Sequence, residues 1–194
     1  MLWRWFIGRT VAAMSGKPSY LGLLNAISVA ESDAGSYLGA WAAVTPSADV
    51  RAVINTIALR ETEHGVAFAK RIDELGYTVI PKDDPKHAER MAIARSTVLC
   101  DKEKFEALGL GRPLKSGDRD VFDAFFENKD LDSVTGGLLG RYIAEERDSG
   151  RKLAACYALL CAGAKQAARA GSDGGKGGGK SKSKGKSKAK AGKK

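Results

Sequence analysis

Between Val50 and Leu75 the apolar residues Val50, Ile54, Ile57, Phe68 and Leu75 return with the period of one helix face. Glu61 and His64 fall inside that stripe, so a carboxylate and an imidazole are aimed at the side where a core should form. Upstream, Pro18 to Val44 reads as a second amphipathic helix with Leu24, Ile27, Leu38 and Trp41 on its apolar face, interrupted there by Glu31. The two are separated by Thr45-Pro46-Ser47, with Ser47 as the cap of the second helix and Asp49 in its first turn. Glu31 and Glu61 each lie fifteen residues from Pro46. At 1.5 Å rise per residue, an antiparallel pair would put both roughly 22 Å from the turn, at one height. A buried carboxylate without a counter-ion, hydrogen bond or metal is costly, so Glu31, Glu61 and His64 should converge on a common solution.

Two further helices follow. Gly76 closes the second as a C-cap, and Tyr77 to Asp84 reads as an extended link containing Pro81. The stripe Met91, Ala94, Val98, Phe105 and Leu108 predicts one continuous helix over 84–108, which puts Asp101 on its apolar side and His87 on the surface near its start. Gly109 to Asp132 is rich in turn signals. Inside it, Asp118 can cap a short helix over 118–128 whose Val121, Phe122, Phe125 and Phe126 would cover the body as a lid. A last helix is predicted over 133–168, with Leu139, Tyr142, Leu153, Cys156 and Leu160 inward. Glu146 shares that stripe, whereas Glu145 and Asp148 are assigned to a flank. The expected fold is all-α, with long helices at 19–44, 48–76, 84–108 and 133–168.

Composition adds the surroundings. With 194 residues and 43% apolar content the chain can bury one substantial core, expected over 18–168. From Gly171 on there are nine lysines and one aspartate, so +8 of the formal +9 belongs to the tail and about +1 to everything else. This Gly/Ser/Lys-rich segment, 169–194, is expected to be disordered and to attract nucleic acid without sequence preference, or to act only as a solubilising tail. Cys100, Cys156 and Cys161 show no Cys-x-x-Cys spacing and read as small hydrophobes within helices, which disfavours a disulfide framework or a thiolate zinc site. No run is apolar and long enough for a transmembrane helix, and a cytoplasmic setting is expected. Residues 1–17, with Trp3, Arg4, Trp5 and Arg9, form either a frayed extension or an interfacial anchor.

A core glutamate on one helix, Glu-x-x-His on the next and more acids on the later ones resembles the ferritin-like di-iron carboxylate bundles, rubrerythrin among them. The resemblance covers Pro18 to Ala164 and rests on Glu31, Glu61, His64 and, more weakly, Glu146. It implies a four-helix bundle with a short extra helix before the last long one. It also implies one or two iron or manganese ions held by Glu31, Glu61, His64, Asp101 and Glu146, and oxidoreductase chemistry on ferrous iron, peroxide or oxygen. Self-assembly into a homo-oligomer is expected too. The second Glu-x-x-His is broken, because Ser149 stands three residues after Glu146. With no paired Cys-x-x-Cys motifs, any electrons would have to come from a separate donor. The link after Gly76 also reaches only about 27 Å, short of a crossover along a helix of about 39 Å, so a plain up-down-up-down bundle is the alternative topology. Against the metal stands a scaffold reading, in which Arg141, Arg147, Lys102 or Tyr142 neutralise Glu31 and Glu61.

Overall fold

Thr45-Pro46-Ser47 makes the sharp turn its sequence predicts. In the computed structural model, which describes residues 16–111 and 128–173, it joins α1 (Leu21–Val44) to α2 (Ala48–Glu74). The expectations for the N-terminal extension before residue 16, for the short helix over 118–128 apart from its last residue, and for the lysine tail from 174 on lie outside the described residues. Ser47 Oγ accepts the Val50 N–H at 3.3 Å, satisfying one of the free donors at the start of α2. The helices then run antiparallel in close contact, because glycine meets backbone in both directions. A Cβ on Gly35 would come to 3.0 Å from Thr62 N and 3.2 Å from Ala58 O, and one on Gly65 to 3.0 Å from Ser32 N. Neither backbone can move aside as a flexible side chain could.

At the far end Gly76, at φ 82°, reverses the chain, with Tyr77 N–H donating to Ile72 O at 3.1 Å. The extended link is held to α1 by Asn25, whose side chain accepts from Ile80 N–H at 2.7 Å and donates to Ile80 O at 3.0 Å.

The third helix is not continuous, contrary to the pattern. It splits into α3 (His87–Arg95) and α4 (Asp101–Ala107). Ser96 Oγ accepts the N–H groups of Val98 at 3.2 Å and Leu99 at 3.1 Å, offering the backbone an alternative to the helix ladder. Val98, read as apolar stripe, is 91% exposed, and Cys100 is an exposed N-cap rather than a residue inside a helix. The buried Lys104 reaches back across the break and donates to Ala94 O at 2.9 Å.

Contacts along α1 fix the direction of everything else. Asn25 meets Ile80, Asp33 meets Arg90, and Trp41 meets Phe105, so α3 and α4 climb in the same sense as α1. The last helix, α5 (Ser133–Asp173), starts beside Tyr20 and Arg71, since both bond to Asp132, and passes Glu31 at Tyr142. Tyr157 then packs on Phe105 near the turn end. It too runs parallel to α1. The order of the described helices is therefore up, down, up, up, not the alternating one, with Gly111 packed under Tyr157 near the turn end and Asp132 at the opposite end beside Tyr20.

The core has two apolar parts. One gathers Leu38, Trp41, Ile54, Ile57, Phe105 and Cys156 toward the turn, and the other Leu24, Phe68, Ile72, Leu139 and Ile143 toward the opposite end. Ser28, Glu31, Glu61, His64 and Ser149 are buried polar residues outside both. All five regular elements among the described residues are helices, and no described helix is long and apolar enough to cross a membrane.

Candidate metal centre

The glycine-locked pairing of α1 and α2 sets the register that brings Glu31 opposite Glu61 and His64. On α5, Tyr142, Glu145 and Glu146 follow one another at helical spacing and close the open side. One ligand atom from each of Glu31, Glu61, His64 and Glu146 lies within 4.8 Å of all the others. The first three are buried, and Glu146 is partly so.

The hydrogen bonds show which atoms are left over. Tyr142 OH donates to Glu31 Oε1 at 2.9 Å, and its ring stands edge-on to His64 with 5.0 Å between centroids. His64 Nε2 meets Glu145 Oε2 at 2.7 Å. With Nε2 engaged by Glu145, the other ring nitrogen, Nδ1, faces the interior, and loss of the ring's extra proton would leave its lone pair there. Nδ1 lies 3.6 Å from Glu31 Oε2 and 3.7 Å from Glu146 Oε1. These three buried atoms have no hydrogen-bond partner. The His64 and Glu31 side chains are only 5% and 9% exposed, so water does not relieve them.

Electrostatics tell the same story. Burial, then the facing Glu31 carboxylate, push Glu61 up to about 10. Burial and the Glu31 charge lift Glu146 to about 7. For Glu31 burial works upward, yet His64, Glu61 and Tyr142 outweigh it and hold the carboxyl below its ordinary value. His64 is raised: burial opposes its charge, but Glu31 and Glu145 favour it more. The cluster thus holds protons at neutral pH that its members would lose in water, which is what three inward carboxylates do when no cation is present.

No family model, curated protein or solved structure matches this chain.

Of the five residues expected as ligands, the structure brings four together and leaves out Asp101. That expectation is corrected: Asp101 accepts from Trp41 Nε1 and from Thr45 Oγ1, both at 2.7 Å, and so ties the start of α4 to the end of α1. Asp101 is buried as the stripe predicts, but α4 places it beside Trp41 and Thr45, more than two helical turns along α1 from Glu31 and so at the turn end rather than at the height of the cluster. Glu145 is corrected in the other direction, from a flank to the partner of His64. Arg141 and Lys102, expected as neutralisers of Glu31 and Glu61, are drawn instead to Glu63 and Glu145 and to Glu106.

Two donor atoms bound about 2.1 Å from one small cation, at angles of 90–120°, stand about 3.0–3.6 Å apart. The separations of 3.6 and 3.7 Å around Nδ1 need only slight closure to meet that. One imidazole and three carboxylates suit iron or manganese in ligand type. The residues present fit the ion that the sequence resemblance implies.

Proposed function

We propose that this chain is a metal-binding protein, ferritin-like in its ligand set but with its second and third helices joined by a short antiparallel link instead of a crossover, whose centre, Glu31, Glu61, His64 and Glu146, holds iron or manganese and supports oxidoreductase chemistry on ferrous iron, peroxide or oxygen. The observation that carries the reading is the trio of buried, unpartnered atoms, Glu31 Oε2, His64 Nδ1 and Glu146 Oε1, turned toward one another. The facing carboxylates favour a charged His64 ring, and a cation that displaces the ring's proton would take Nδ1 and the two oxygens together as ligands. When bound, such an ion supplies one-electron redox chemistry and polarises a small oxygen ligand. The protein's part is to fix the ligands. Glu145 orients the His64 ring through Nε2, and Tyr142 orients Glu31 through Oε1, leaving one oxygen for the ion. Glu145 and Glu146, with side chains 26% and 22% exposed, form the wetter edge by which a small reactant would arrive.

The test is elemental analysis of protein expressed with iron and manganese supplied, followed by titration of the chelator-stripped protein with Mn²⁺. A chain that carries and rebinds an ion meets the proposal. A chain that elutes empty and ignores both Mn²⁺ and Fe²⁺ refutes it. A second reading has an observation of its own: Tyr142–Glu31 and His64–Glu145 are well-made hydrogen bonds without any ion, as a proton-neutralised scaffold would have, with the lysine tail then engaging nucleic acid. In that case binding to duplex DNA should depend steeply on salt and vanish when the tail is removed.

A further inference from the structure

We infer that the centre takes one divalent cation per chain rather than two, and that the Arg60 guanidinium fills the side on which a second ion would have to sit. The inference rests on the metal-binding reading above and deepens it. Helices α1, α2 and α5 supply the ligands, and the broken pair α3 and α4 contributes none, since both Asp101 oxygens are engaged by Trp41 and Thr45. Two ions about 3.5–4 Å apart would have to share one imidazole and three carboxylates. The four donor atoms instead all lie within 4.8 Å of one another, close to the span of a single coordination sphere.

On α5, the residue three after Glu146 is Ser149, buried and 3% exposed. Its Oγ accepts from Arg60 Nη1 at 3.3 Å, and the same nitrogen is anchored by Asp148 Oδ2 at 2.7 Å. The Arg60 side chain is only 26% exposed, so its charge is held against the protein rather than screened by bulk water. It comes from the position next to Glu61, and its charge acts on both Glu61 and Glu146. A second ion would enter beside a fixed positive charge that already occupies the hydrogen-bonding groups of that side.

Mn²⁺ is the probe, because its spin resonance separates an isolated ion, with a six-line signal, from a coupled pair, and elemental analysis counts it independently. The full-length protein should bind one Mn²⁺ per chain with the isolated-ion signal at saturation. An Arg60→Met, Ser149→His double variant should rise toward two, with a coupled signal, whereas Arg60→Lys, which keeps the charge, should stay at one. Two Mn²⁺ in the parent would overturn the inference and leave the metal reading intact. No Mn²⁺ at all would overturn both. A double variant with helical circular dichroism that still takes only one ion would remove Arg60 and Ser149 from the explanation, and if that variant does not fold, the parent's ion count still decides.

Discussion

Glu61→Gln separates the ion from the scaffold most cleanly, because the substitution keeps the shape and removes a charge. In the ion-free protein the carboxyl is pushed up to about 10 by burial and by Glu31, so at pH 7 it is protonated and the amide is nearly its isostere. Stability without metal should change by less than about 1 kcal/mol, within the range of tolerated substitutions. The loaded protein is different. At an ion concentration 100 times Kd, binding only the folded state contributes about 2.7 kcal/mol. For a chain of this size that is a rise in Tm of about 5–11 °C. If loss of one of three carboxylates weakens binding about 100-fold, the contribution at the same concentration falls to about 0.4 kcal/mol, under 2 °C. The assay is thermal unfolding of parent and variant at pH 7, each with EDTA and with a fixed excess of Mn²⁺. A variant that keeps the parent's Mn²⁺-dependent rise would refute Glu61 as a ligand. A variant that melts higher than a parent indifferent to Mn²⁺ would refute the metal reading and favour the scaffold.

Glu145→Ala frees the His64 ring to turn and should weaken Mn²⁺ binding about 10–100-fold at unchanged stoichiometry, measured by titration; an unchanged Kd would make the 2.7 Å contact incidental. Asp101→Ala strands two buried donors, Trp41 Nε1–H and the Thr45 hydroxyl, at about 1–3 kcal/mol each, so Tm should drop while the ion count stays the same; loss of the ion would return Asp101 to the ligand set. Glu61, Glu146 and His64 are all raised, so the ion-free folded state binds protons that the unfolded chain releases. The carboxyls' contribution is full below about 4.5 and is lost as pH rises through about 7 and then about 10, so EDTA-treated protein should melt lower as pH climbs through that window. Ion binding must displace the same protons, so the Mn²⁺ affinity should rise over that range; a pH-independent Kd would contradict the ligand assignment.

The helix period carried most of the centre. Glu31, Glu61 and His64 each interrupt an apolar stripe, and the equal count of Glu31 and Glu61 from Pro46 put those two at one height, with His64 a turn further on, because the intervening helices are regular and the turn is tight. Asp101 failed on height, not on face: it is buried as the stripe predicts, but beyond the break at Ser96 it sits beside Trp41 and Thr45 at the turn end, away from Glu31. Glu145 was hidden by angle. Neighbours on a helix point 100° apart, and only the imidazole reaching between α2 and α5 lets Glu145 and Glu146 both serve one site. The link after Gly76 was rightly read as too short for a crossover. What the pattern could not show was that the last helix starts at the end where α1 starts, because direction is set by contacts such as Tyr20 with Asp132 that leave no periodic trace.

Because α1 and α2 form one tight hairpin, three of the four proposed ligands meet through contacts local in the chain, whereas the fourth arrives from the helix in which Glu145 lies 81 residues beyond His64. Local contacts form quickly, and long loops close late. The order of events on folding would therefore be hairpin first and α5 last, with a shared ion acting as a latch on the latecomer. Such a latch changes how fast the chain comes apart more than how fast it comes together. Saturating Mn²⁺ should slow unfolding in urea and leave refolding nearly as it is with EDTA; an equal acceleration of refolding would mean that α5 is already docked when the rate is decided.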